Sequence, residues 1–182
     1  MNIKKTPIKG LLVVEPKVYK DKRGYFFESY NKKLFEKNGI TDNFVQDNQS
    51  ISSYGVIRGL HYQLNPFAQS KLVRVLQGRI FDVAVDLRKD SPTFGEWFGI
   101  ELSSENFLQL YIPKGFAHGF SVLSDTAIVF YKCDNYYAPE YEEGIRYDDP
   151  NLNINWRLTK GEIIISEKDK KNKLFTEAKM NF

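Results

Sequence analysis

The chain has 182 residues, 42% hydrophobic and 27% charged, with a formal net charge of +3. These proportions fit a soluble globular protein with one real hydrophobic core, read as a single domain over residues 1–182, and speak against disorder and a membrane span. Apart from Lys168, Lys170, Lys171 and Lys173, the positive charge is spread along the chain, too thinly for a nucleic-acid footprint, so no nucleic-acid partner is expected.

The opening, MNIKKTPIKGLLVVEP, has only four consecutive apolar residues, too few for the core of an export signal. The single Cys133 has no disulfide partner within the chain and sits in the apolar run AIVFYKC, which fits a buried thiol in a reducing cytoplasm. From there the chain reads as short β-type runs separated by turn signals: 10–15, 25–30, 44–52, 56–63, 71–76, 79–86, 96–103, 107–112, 118–123, 126–133 and 152–156. Helix signals are few. Asn31 can cap a helix over 31–37 that Gly39 ends, and a second short helix can follow Ser166, with Asp169 at its third position. This pattern predicts an all-β fold, a cupin-type jelly roll of two packed antiparallel sheets with one or two short helices.

Alternation within these runs marks unusual polar residues. In Lys71-Leu72-Val73-Arg74-Val75, the lysine shares the inward face with Val73 and Val75. The run Phe44 to Ser50 carries polar residues, among them Gln46 and Asn48, on both faces, so one face should meet solvent or a polar ligand. Strict alternation puts Arg58 and His61 of RGLHYQ on opposite faces, yet a bulge at Gly59 would turn both to one side. Such a pair would offer a phosphate-binding cation and a group titrating near neutrality, although on position alone the favoured reading of His61 is a core or surface histidine satisfied by a backbone carbonyl. The second histidine, His118, follows the turn Ile112-Pro113-Lys114-Gly115. Two histidines without a His-x-His pair make a poor metal-ligand set, so no metal is expected. Tyr131 shares a face with Val129 and Cys133, and a phenol aimed into a barrel can donate a proton.

With these segments laid out, the sequence resembles the dTDP-4-dehydrorhamnose 3,5-epimerase family. The likeness runs in order through DKRGYFFESY (21–30), FVQDNQS (44–50), GVIRGLHYQ (55–63), AQSKLVRVLQG (68–78) and FDVAVDLRKDSPTFGEW (81–97). It continues through ELSSENFLQLYIPKGFAHGF (101–120), YKCDNYYAPE (131–140) and ISEKD (165–169). The resemblance implies a cofactor-independent epimerase acting on a nucleotide-linked 4-keto-6-deoxy sugar, in the making of surface deoxysugars. It implies His61 as base, supported by Asp169, Lys71 beside the enolate oxygen and Tyr131 as the opposing acid. Arg23, Glu28, Gln46, Asn48, Arg58, His118, Tyr137, Glu142 and Lys168 match the family's substrate contacts. The family is homodimeric with an exchanged N-terminal strand, so Arg23 could serve either subunit's site. Inversion at carbon 3 alone, and a GDP-linked or other nucleotide sugar, stay open. A metal-dependent cupin enzyme and a non-catalytic sugar-binding jelly roll are the readings from other classes.

Overall fold

The computed structural model describes every residue from Met1 to Phe182. Thirteen strands carry the fold: β1 (Asn2–Lys5), β2 (Leu12–Glu15), β3 (Tyr19–Asp21), β4 (Gly24–Phe26), β5 (Gln46–Ser53), β6 (Ile57–Gln63) and β7 (Lys71–Gln77) come first. They are followed by β8 (Arg79–Asp86), β9 (Trp97–Ser103), β10 (Gln109–Ile112), β11 (Phe116–Val122), β12 (Thr126–Cys133) and β13 (Glu142–Gly144). The two short helices are α1 (Lys32–Lys37), capped by the Asn31 side chain, and α2 (Glu167–Lys170), capped by Ser166, where the sequence placed them.

All strand pairs are antiparallel. One sheet runs β1-β2-β10-β7-β12-β5, the other β13-β6-β11-β8-β9, and β3 pairs only with β4 in a separate hairpin. Val73, Val75, Leu110 and Val129 of the first sheet pack against Ile80, Ala84, Leu102 and Phe120 of the second, so the main core lies between two facing sheets of a cupin-type jelly roll. The second sheet is also covered on its outer face. Ile57, Leu60, Phe81, Val83 and Val85 pack there against Ile145, Leu152 and Trp156, which explains why β8 reads as a nearly continuous apolar run. No helix is long and apolar enough to cross a membrane.

Two of the predicted strands differ from the structure. Of 25–30 only its first two residues are strand, as part of β4, and 152–156 is irregular. The apolar spacing of Leu152, Ile154 and Trp156 reflects side chains plugged into the outer core, held by hydrogen bonds from Trp97 Nε1 to the Leu152 carbonyl (2.9 Å) and from Ser121 Oγ to the Trp156 carbonyl (2.6 Å). The short strands β1, β3 and β13 give too few residues for alternation to register, and the sequence reading does not contain them.

Candidate active site

The site is built around one irregularity in β6. Along β11, His118 pairs with His61 and Phe120 with Arg58, so three residues of β6 span the interval that two residues of β11 cover. The extra residue sits at Gly59, whose φ of +124° and close approach to Gly119 exclude any Cβ, since one would stand 2.5 Å from the Gly119 Cα. Ile57, Leu60 and Tyr62 then pack into the outer core, while Arg58 and His61 both turn to the other side, His61 onto the cavity and Arg58, exposed and outside its lining, toward Ser52.

His61 Nε2 lies 2.6 Å from Asp169 Oδ1, and the Gly59 N–H donates to Asp169 Oδ2 at 3.4 Å. A carboxylate accepts from Nε2–H, which leaves Nδ1 with its lone pair free for a proton. Burial pushes the Asp169 carboxyl up, but the hydrogen bond and charge of His61, with the Gly59 N–H, outweigh it and hold the group below its ordinary value. The backbone of Asp169 is occupied separately. Its N–H donates to Ser166 Oγ at 3.1 Å, so the helix cap and the imidazole partner are both real, one through the main chain and one through the side chain.

Opposite His61, a cavity of about 210 Å³ opens between the sheets. His61, Lys71, Tyr131, Gln46, Asn48, Tyr137 and Glu142 line it, and so do Tyr62, Gln63 and Gln69. Lys71 Nζ stands 5.9 Å from the centre of the Tyr131 ring. Burial pushes the Lys71 ammonium down, against the opposing pull of Cys133, Asp82 and Glu142. Burial also pushes the Tyr131 phenol up, with Arg58 acting the other way, so this hydroxyl keeps its proton at neutral pH. At the mouth, Tyr137 Oη donates to Glu142 Oε2 at 2.8 Å and Lys168 Nζ lies 2.5 Å from the same oxygen. Burial pushes Glu142 up, and those two donors hold it below the ordinary carboxylate range.

Six expected site residues stand outside this lining: Asp169 behind His61 and Lys168 beside Glu142, already described, and four others. Arg58 is exposed and donates from Nε to Ser52 Oγ at 2.9 Å. His118 is buried behind the cavity, its Nε2 2.7 Å from Asp82 Oδ1. Arg23 and Glu28 lie away from the cavity in this chain. Arg23 is exposed at the tip of the β3–β4 hairpin, paired with Asp21 at 2.6 Å, and Glu28 accepts from Asn31 Nδ2 at 3.0 Å. The sequence reading lacks Asp82, Gln63 and Gln69. Asp82 had a signal in the apolar run Phe81-Asp82-Val83-Ala84, and Gln63 is two residues beyond His61 on its face, whereas nothing in the sequence singles out Gln69.

The family model described as dTDP-4-dehydrorhamnose 3,5-epimerase matches residues 5–177. The chain belongs to the dTDP-4-dehydrorhamnose 3,5-epimerase family. It is 55% identical over 167 residues to the protein of that name from Methanothermobacter thermautotrophicus, covering 91% of this chain and 90% of the relative. With the one from Shigella flexneri it shares 53% over 179 residues, 98% of each chain. The solved dTDP-6-deoxy-D-glucose-3,5-epimerase of Legionella pneumophila, in complex with dTDP-4-keto-L-rhamnose, superposes with a TM-score of 0.93 at 54% identity, covering 97% of this chain and 93% of that one. The family makes this chain an epimerase, an isomerase of nucleotide sugars, and the readings as a metal-dependent cupin enzyme or a binding module are not favoured.

Proposed function

We propose that this chain, working as one domain, inverts carbons 3 and 5 of a dTDP-linked 4-keto-6-deoxy sugar in dTDP-rhamnose biosynthesis, without a cofactor. The observation that carries the reading is one cavity lined by an imidazole with a carboxylate behind it, a lysine and a protonated phenol. The ketone at carbon 4 acidifies the hydrogens on its neighbours. His61 Nδ1 takes such a proton, and the positive charge formed on the ring is balanced by Asp169. The electron pair left on carbon moves to the ketone oxygen, where the Lys71 ammonium stabilises the enolate. Tyr131 returns a proton from the other face, which inverts the centre. Gln46, Asn48, Arg58 and His118 are assigned to the sugar and diphosphate, Tyr137 to stacking on the base, and Glu142 and Lys168 to the mouth.

Arg23 and Glu28 enter this reading through a second copy of the chain. The β3–β4 hairpin exposes Tyr19, Tyr25 and Phe26, apolar surface suited to burial against another subunit. In the homodimer we infer, the hairpin and the segment that follows it carry Arg23 and Glu28 to the partner's cavity. Mixed dimers of Arg23→Ala and His61→Asn chains should then regain activity that neither parent has, and no regain would assign Arg23 to its own subunit. We also place the protein in the cytoplasm, supplying surface polysaccharide synthesis.

The central test is deuterium uptake followed by NMR in deuterated water, with dTDP-linked and GDP-linked 4-keto-6-deoxyglucose. Uptake at carbons 3 and 5 of the dTDP sugar is the expected result. Uptake at carbon 3 alone would make the chain a mono-epimerase, and uptake only with GDP would reassign the nucleotide. Tyr131→Phe should retain more exchange than inversion; equal loss of both would remove Tyr131 as the opposing acid.

A further inference from the structure

The segment Asn135–Ala138 carries Tyr137 over the cavity mouth, and its backbone is held in an unusual way. No backbone group of residues 135–137 pairs with another backbone group. Three glutamine side chains take their place. Gln69 Nε2 donates to the Asn135 carbonyl at 2.8 Å, and Gln63 Nε2 to the Tyr136 carbonyl at 3.1 Å. Gln46 Oε1 accepts from the Tyr137 N–H at 3.1 Å, and Gln63 Oε1 from the Ala138 N–H at 2.8 Å. Four consecutive residues are thus gripped in order by side chains rooted on β5, β6 and the entry to β7.

Gln63 is the centre of this grip. Its amide also donates to the Phe67 carbonyl at 2.7 Å, so both amide hydrogens and the carbonyl oxygen are used, at 4% exposure. That pattern fixes which way the amide points, and glutamic acid could not reproduce it, because a carboxylate would face two carbonyl oxygens. Tyr137 itself is 54% exposed and its hydroxyl is tied only to Glu142, so packing does little to set the ring. Its orientation has to come from the main chain beneath it. Gln63 also lies two residues from His61 on the same face of β6, so the strand that presents the imidazole also anchors the aromatic loop.

We propose that Gln63 and Gln69 are positioning residues for nucleotide recognition, holding residues 135–138 so that the Tyr137 ring is preset to stack on the base of a nucleoside diphosphate. This rests on the assignment of Tyr137 to the base made above. A loop left without these partners would have to order on binding, and that cost would appear in affinity and not in the chemistry at the sugar.

Gln69→Met and Gln63→Met test it, through dTDP affinity by calorimetry, steady-state kinetics and a cycle with Tyr137→Ala. Each glutamine variant should weaken dTDP and raise KM by about tenfold with kcat within about twofold, and on the Tyr137→Ala background the further loss should fall below about twofold, the non-additivity of residues acting through one another. Inhibition by inorganic diphosphate, which carries no base, should not change. Multiplying losses, or a fall in kcat at constant KM, would overturn the proposal while leaving Tyr137 in its role. Unchanged dTDP affinity in Tyr137→Ala alone would overturn the assignment of Tyr137 and the proposal with it. Should Gln63→Met fail to fold, the partly exposed Gln69→Met decides by the same criteria.

Discussion

Two imidazole–carboxylate pairs stand side by side in the second sheet, on strand positions that are direct partners across β6 and β11. Their contact distances nearly match, 2.6 Å for His61–Asp169 and 2.7 Å for His118–Asp82. Their surroundings do not. The His61 side chain is 32% exposed and opens on the cavity, with its carboxylate brought by a helix near the end of the chain, whereas His118 and Asp82 are 7% and 0% exposed and meet strand to strand inside the core. Asp82 Oδ2 has no hydrogen-bond partner at all, while both oxygens of Asp169 are engaged. The same two residue types therefore make an open base in one place and a buried, closely held pair in the other, and the degree of exposure separates them.

The largest expected effect follows from that separation. His61→Asn should lower kcat/KM by roughly a thousandfold or more, the scale of a lost general base, while the melting temperature moves little. Turnover followed by a coupled reductase or by deuterium uptake reads this directly, and activity within tenfold of the parent would remove His61 as the base. Next in size is the effect on stability. His118→Leu should cost about 3 kcal/mol, because it leaves Asp82 buried with no partner, and for a chain of this length that is a fall of roughly 6 to 12 °C in melting temperature. His61→Leu, whose carboxylate keeps the Gly59 N–H, should cost clearly less. Equal losses in a thermal scan would erase the difference between the two pairs.

The contrast also marks what the sequence could and could not convey. Strand positions were legible where alternation was long, as in β6, β7 and β12, and the odd inward lysine of β7 and the glycine-marked bulge of β6 were readable as exceptions to that alternation. The partners were not. Asp169 follows His61 by 108 positions and Asp82 precedes His118 by 36, separations that no local pattern spans, so Asp169 entered only through family resemblance and Asp82 not at all. Leu152 and Trp156 misled for a related reason: their spacing records the surface they plug into, not the conformation of their own segment. The glutamine grip on 135–138 lay beyond reach because side-chain to main-chain bonds leave no periodic trace.

The smallest effect concerns what Asp169 adds to His61. In Asp169→Asn the amide oxygen can still accept from Nε2–H and keep the working tautomer, but no charge is left to balance the protonated ring, so kcat should fall by roughly ten- to a hundredfold, less than removing the base itself. Stability supplies a second readout with a defined sign. The folded Asp169 carboxyl is held below its ordinary value, which means that the ionised form is the one stabilised by folding. That contribution is complete above the unfolded aspartate pKa, about 4, and is lost as the pH falls through the lower folded value. His61, through its hydrogen bond and charge, and Lys168 are the neighbouring groups that act on it. The stability gap between the parent and Asp169→Asn, measured by urea unfolding from neutral pH downward, should therefore be widest above about pH 4 and close on further acidification. A gap that widened in acid would mean that folding favours the protonated carboxyl, and the pairing of Asp169 with His61 could not then be what holds that carboxylate in place.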